Sequence, residues 1–332
     1  MTSIGGAQMV DWNLAVATAT RLVRPGPDIS REEARAVVAE LRRHAKASEE
    51  HVRLFTRMIP EGTEPEDTPV LVVDRPGWIK ANVAGFRELL QPLLAKMGSR
   101  RSGGPGGAVL GAVGGKVTGV ELGMLLSFLA SRVLGQYETF APATRELPAS
   151  ANGGGRLLLV APNIVHVERE LDVDPHDFRL WVALHEETHR TQFTGVPWLR
   201  DHLQGEIQTF LDETDVDPMT FLERLREAAQ SLSGGRPEGE QGESDTRSLV
   251  DIVQTPAQRE VLGRLTAVMS LLEGHADYVM DGVGPDVVGS VSEIREKFQQ
   301  RAPRAPAAST RPCASSSAST PSSASTRTAR SS

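Results

Sequence analysis

Cysteine is almost missing from this chain of 332 residues: its single copy, Cys313, lies in a tail of unusual composition. The body therefore holds no disulfide and no thiolate metal ligand, which suits a reducing compartment, and a cytoplasmic location is expected. The opening MTSIGGAQMVDWNLAV lacks both a basic stretch and an apolar core, so no secretory signal is read there. Long uncharged apolar runs are lacking too. The most apolar segment, GGAVLGAVGGKVTGVELGMLLSFLASRVLG, is broken by Lys116, Glu121 and Arg132. Spanning a bilayer takes about 20 apolar residues, so small-residue helices inside a core are expected and no membrane partner. Positive charge is not in excess either. The formal net charge is −7, and the last 32 residues carry five Arg and no acid, so the body is more acidic still. That argues against nucleic acid as a partner. No internal repeat is found.

The remaining composition, 39% hydrophobic and 24% charged, is that of a globular chain long enough for a sizeable core. Residues 8–57 read as helical, with Ser30 as N-cap and Glu33 at the capping-box position. A strand is expected at Val70–Val73, stopped by Pro76-Gly77, then a helix over WIKANVAGFRELLQPLLAKM. Two Gly-rich apolar helices follow to about residue 137, and a second strand is expected at Leu157–Val160. Helical patterns recur at HLQGEIQTFLDE, at PMTFLERLREAAQSL and in a long stretch from Pro256 that Gly282 and Pro285 should stop. Between the last two, SGGRPEGEQGESDTRS reads as a surface loop.

The expected architecture is mainly α (α+β), a helical bundle with a few short strands. Residues 1–150 form its N-terminal helical part and 151–300 a metal-binding part of the same domain. Residues 301–332 use six residue types and read as a disordered tail. All of these except Cys have GC-rich codons, as expected if a GC-rich gene shifted frame near Gln300. A genuine linker-like tail is the alternative.

The chemistry concentrates in WVALHEETHRTQF, Trp181–Phe193. Asp174 as cap, Pro175 at the first helical position and Asp177 in the first turn place it on a helix. His185 and His189, four apart, share one face and can direct two nitrogens at one ion about 2.0–2.1 Å away. Phe178, Trp181 and Val182 continue that face, so the histidines should point inward. Glu186, rotated by about 100° from His185, falls beside such an ion and can act as general base. Two satisfied core histidines are the bland alternative.

A third ligand is needed. The metzincin continuation would require Gly at 192 and His at 195, but the chain has Gln192 and Gly195. LLEGHADYVMD offers Glu273 as ligand, with Asp277 on the same face to hydrogen-bond the outer nitrogen of a ligand histidine. Gly274 would let two helix backbones approach. His275 and Tyr278 are candidate oxyanion donors, and for Tyr278 plain packing is the stronger reading. His44, His51, His166, His176 and His202 show no metal-like partner spacing and are read as surface or structural. Trp78 and Trp198 are read as packing anchors. The 157–160 strand is weighed as an edge that pairs with an extended peptide, with an ordinary core strand as the stronger reading.

The segments VDWNLA, VVDRPGWIKANVAGFR, FLASRVLGQYETF, LLLVAPNIVHVERELDVDPHDFRLWVALHEETHRTQFTGVPWLRDHL and LLEGHADYVMDGVGP resemble zincin-like metallopeptidases of actinobacteria that are associated with deazaflavin-coenzyme biosynthesis. The resemblance spans most of residues 10–300. It implies a largely helical zincin-like fold and a zinc site at His185, His189 and Glu273 with Glu186 as base. It also implies further helical sequence after about residue 300, where this chain departs. The function expected is a Zn2+-dependent hydrolase acting on a peptide or protein substrate. The alternative is a non-catalytic zinc-binding scaffold, and a metal-free helical binding protein comes third.

Overall fold

A computed structural model describes residues 10–58, 68–101, 107–142, 148–149, 155–213 and 256–301. The order of elements is α1 (Trp12–Leu22), α2 (Arg31–Thr56), β1 (Val70–Val73), α3 (Arg75–Arg101), α4 (Gly107–Leu129), β2 (Gly135–Glu138), β3 (Arg156–Val160), α5 (Ala161–Leu171), α6 (Pro175–Gly195), α7 (Pro197–Asp212), α8 (Pro256–Val287) and α9 (Val291–Arg301). The protein is mostly helical around one small sheet, as the α+β reading expects. The helix expected over residues 218–232, the following loop and the tail from 302 onward lie outside the described residues.

The three strands run in the order β1-β3-β2. β1 lies parallel to β3, with Val70 opposite Leu157. β2 lies antiparallel to it, with Gly135 opposite Leu159. The sheet is buried on both faces, which explains why residues 157–160 are continuously apolar rather than alternating. Leu159, Val70 and Val72 meet a core built from α2, α5, α6, α8 and α9. Leu158, Val160, Leu71 and Val73 meet a second core built from α1, α3 and α4. Each fully buried leucine of β3 contributes roughly 1.5–3 kcal/mol relative to exposure.

Local signals set the helices that matter most. Ser30 Oγ accepts from Glu33 N at 3.1 Å and starts α2. Val37, Leu41, His44, Ala45, Ser48 and Val52 form its buried stripe, at the spacing of one helix face. Asp174 accepts from Asp177 N at 2.9 Å and starts α6. Pro197 opens α7 directly after α6 stops at Gly195.

Residues 8–57, read as helical with a start at Ser30, hold α1 and α2 with an extended stretch between them. Three expectations are corrected. The two helices expected up to residue 137 are one, α4, followed by strand β2. Gly282 and Pro285 do not stop α8, which runs to Val287. Gly282 serves close packing instead, because a Cβ there would fall 2.0 Å from Phe55 Cζ. Gly274 faces open space, so no second backbone approaches it.

Candidate metal centre

α6 runs under the sheet and crosses α8. This crossing brings together residues that are far apart in the chain. His185 Nε2 and His189 Nε2 lie 3.3 Å apart, with the rings nearly perpendicular. From α8, Glu273 places Oε2 3.7 Å from His185 Nε2 and Oε1 3.6 Å from His189 Nε2. Ligands about 2.0–2.1 Å from a tetrahedral zinc are separated by about 3.4 Å, so the donor set fits such an ion. The three sequence-predicted ligands are thus brought together.

Gln192 sets the orientation. His189 Nδ1 donates to Gln192 Oε1 at 3.0 Å. The amide nitrogen of Gln192 donates to Leu272 O at 2.8 Å and to His275 Nδ1 at 2.9 Å. The proton on Nδ1 leaves the Nε2 lone pair of His189 free to bind a cation. The bond to Leu272 O also fixes α8 one residue before Glu273. Bonding the outer nitrogen of a ligand histidine is the task expected of Asp277; Gln192 performs it at His189, and Asp277 lies beside Arg295, with Oδ1 3.7 Å from its Nη2. Sequence reasoning missed Gln192. Its signal was available: it sits three residues after His189, on the same helix face.

Glu186 is buried, and strand β2 closes over it. A Cβ at Gly135 would fall 2.4 Å from Glu186 Cγ, so only glycine permits this approach. Burial, and then the charge of Glu273, push the Glu186 carboxyl up to about 8. Burial, then His189 and Arg295, bring His185 down to about 4. Without a cation the pocket thus favours uncharged His185 and Glu186. Neutral imidazole is the form that binds metal, and a dication reverses the penalty on the carboxylate.

Two cavities meet at this cluster, and His185, Glu186 and Glu273 line both. One, of about 600 Å³, has an apolar wall that includes Phe86, Leu89, Phe140, Phe193, Leu265 and Met269. The other, of about 540 Å³, is lined by Trp181, Phe298 and the charged Arg132, Asp277, Asp281 and Arg295. Gly135, Gln136, Tyr137 and Glu138 form a wall of the first. Gln136 is held against α3, where its Oε1 accepts from Trp78 Nε1 at 2.8 Å and its Nε2 donates to Asn82 Oδ1 at 3.1 Å.

Residues 157–160 form the central strand, the ordinary core strand of the stronger reading, and the edges of the sheet are β1 and β2. Trp78 is buried, as a packing anchor should be, but Trp198 is 63% exposed. His275 sits behind Gln192, and Tyr278 packs on Phe55 with ring centroids 5.5 Å apart. Neither lines either cavity.

A crystal structure of a protein from Chloroflexus aurantiacus, provisionally named a hydrolase with a novel fold, is similar at a TM-score of 0.59 and 27% identity. The match covers 88% of this chain and 75% of that one. No curated protein matches. The model of the zincin-like metallopeptidase family matches residues 10–311, nearly the whole of the chain, and this protein belongs to that family.

Proposed function

We propose that the protein is a zinc-dependent peptidase with His185, His189 and Glu273 as ligands and Glu186 as general base. The reading rests on one observation: a buried carboxylate, Glu186, flanks a convergent His-His-Glu set at the junction of two cavities. A purely structural site needs the ligands but neither the neighbouring carboxylate nor the cavities. When bound, the zinc ion supplies Lewis acidity, which polarises a carbonyl and acidifies water to a pKa of about 7. Glu186, buried beside the three residues that would hold the ion, is placed to act as general base, accepting a proton from an attacking water and returning it to the leaving amine. Gly135 keeps β2 out of the way of the Glu186 side chain, and Gln192 holds His189 in its ligating tautomer.

The substrate is accommodated by two features. β2 has no strand partner on its outer edge among the described residues, so an extended peptide can pair with it. The apolar cavity accepts a hydrophobic side chain on one side of the scissile bond. The charged cavity accepts a polar segment on the other. The resemblance to actinobacterial proteins associated with deazaflavin-coenzyme biosynthesis suggests a cellular setting, and a cytoplasmic enzyme is in keeping with it. Among the described residues no helix is long and apolar enough to cross a membrane.

The test is Glu186→Gln assayed on an unbiased peptide library, with zinc content measured on the same sample. Removing a general base costs roughly 10²–10⁴-fold in rate. We expect a loss of at least that size with zinc retained. A Glu186→Gln protein as active as the parent would refute the mechanism.

A further inference from the structure

We infer that the protein has a second transition-metal site, formed by Glu40, His44 and His176 on the opposite flank of α6 from the cavities. The sequence reading treats both of these histidines as surface or structural. The fold brings them together. Glu40 and His44 are four apart on α2 and share a face. His176, in the first turn of α6, reaches across to them. His176 Nδ1 lies 3.0 Å from Glu40 Oε1, and His44 Nε2 lies 3.4 Å from the same oxygen. The two rings meet edge to face with centroids 4.7 Å apart. One ligand atom from each residue lies within 4.8 Å of the others, the same convergence seen at the first cluster. For zinc at about 2.0–2.1 Å from each donor the expected separation is about 3.4 Å.

A second observation points to a ligand. His44 is 7% exposed, yet its Nε2 makes no well-aligned hydrogen bond, and its nearest partner is Glu40 Oε1 at 3.4 Å. A buried ring nitrogen aimed at a carboxylate and another imidazole, with only this long contact, is a poorly satisfied group that a cation would satisfy.

The ion pairs around the site orient its carboxylate. Arg179 is the guanidinium closest to the cluster, and it pairs with Glu40 Oε2 and with both oxygens of Glu168. Arg179 is thus held between two carboxylates, which leaves Glu40 Oε1 turned toward the histidines. Two imidazoles and one carboxylate suit zinc, nickel or copper rather than magnesium or calcium. Bound there, the ion joins α2 to the first turn of the helix that carries His185 and His189.

The experiment counts metal. Protein stripped by a chelator is dialysed against buffered free zinc, and zinc per chain is measured. The parent should bind two ions, His176→Ala one, the His185→Ala/His189→Ala variant one, and the combined variant none. The His176 side chain is 63% exposed, so its removal leaves the core intact. In the His185→Ala/His189→Ala protein, zinc should still raise the thermal unfolding midpoint, and adding His176→Ala should abolish that rise. A parent that binds one ion and keeps it in His176→Ala overturns the inference, as does one that binds two and keeps both. A parent that binds one ion and loses it in His176→Ala supports this site and counts against the first, so the two readings fail separately.

Discussion

Two clusters of two histidines and a glutamate lie on the flanks of one helix, and what surrounds each differs more than the ligands do. At His185, His189 and Glu273 the space beyond the donors is empty. Two cavities open there, and Glu186 stands at their junction without a cationic partner. At Glu40, His44 and His176 an ion-pair network of Arg179 and Glu168 adjoins the donors, and none of the three lines either cavity. The first arrangement opens on two cavities; the second opens on neither of them. Donor geometry alone does not separate a catalytic centre from a staple. A free coordination position and an adjacent base do.

The comparison can be broken most severely through the anchors of α6. Near the first cluster, Arg190 donates to Glu187 at 2.9 Å, to Glu49 at 2.9 Å and to Thr68 O at 3.0 Å, all largely buried. Arg190→Met strands Glu187 in the interior and should cost about 3–5 kcal/mol of stability. The more exposed Arg179→Met, near the second cluster, should cost less. Urea denaturation of both variants checks the order.

Gly135→Ala acts on one cluster alone. The added methyl collides with Glu186, and a displacement of about 1 Å at a reacting group can cost about 10²-fold in turnover. Zinc content should not change. Gln192→Leu should do the reverse. It removes the acceptor for His189 Nδ1 and should weaken zinc at the first cluster about 10–100-fold, leaving the second untouched. Competition with a chromophoric chelator resolves the two affinities.

The smallest effect is on pH dependence after chelation. Folded Glu186 keeps its proton up to about 8, against an ordinary value of 4.5. The folded state then binds more protons than the unfolded one, so stability falls as pH rises through that window. Glu187, pushed by burial up to about 7, adds the same slope over the lower part. His185, brought down to about 4 from 6.5, acts with opposite sign below pH 6.5, and the lowered His44 shares that sign. Between pH 7 and 8 Glu186 dominates. Metal-free Glu186→Gln should therefore lose less stability than the parent over that interval. Equal slopes would show that Glu186 is not held neutral.

The sequence revealed what sits on one element and concealed what depends on two. The caps of α6, the shared face of His185 and His189 and the strand at Val70–Val73 follow from spacing and turn chemistry. Glu273 was legible because a carboxylate in a long amphipathic helix is the remaining kind of ligand that could meet the pair. β2 was not, because Gly135-Gln136-Tyr137-Glu138 is short and carries no alternation. Its strand character comes from pairing with β3 rather than from propensity. The second cluster was half legible, since Glu40 and His44 have helical spacing. Nothing in periodicity says that His176 lands beside them, because a pattern identifies faces and not partners.

Asp177 ties the last described helix to the first turn of α6: its Oδ2 accepts from Ser290 N at 2.8 Å and from Ser290 Oγ at 2.7 Å. From α9, Arg295 and Phe298 then reach the wall of the charged cavity. The wall that α9 gives the charged cavity is thus fastened to the first turn of the helix that carries His185 and His189, so a change at Asp177 would reach the cleft through Ser290 without touching either histidine.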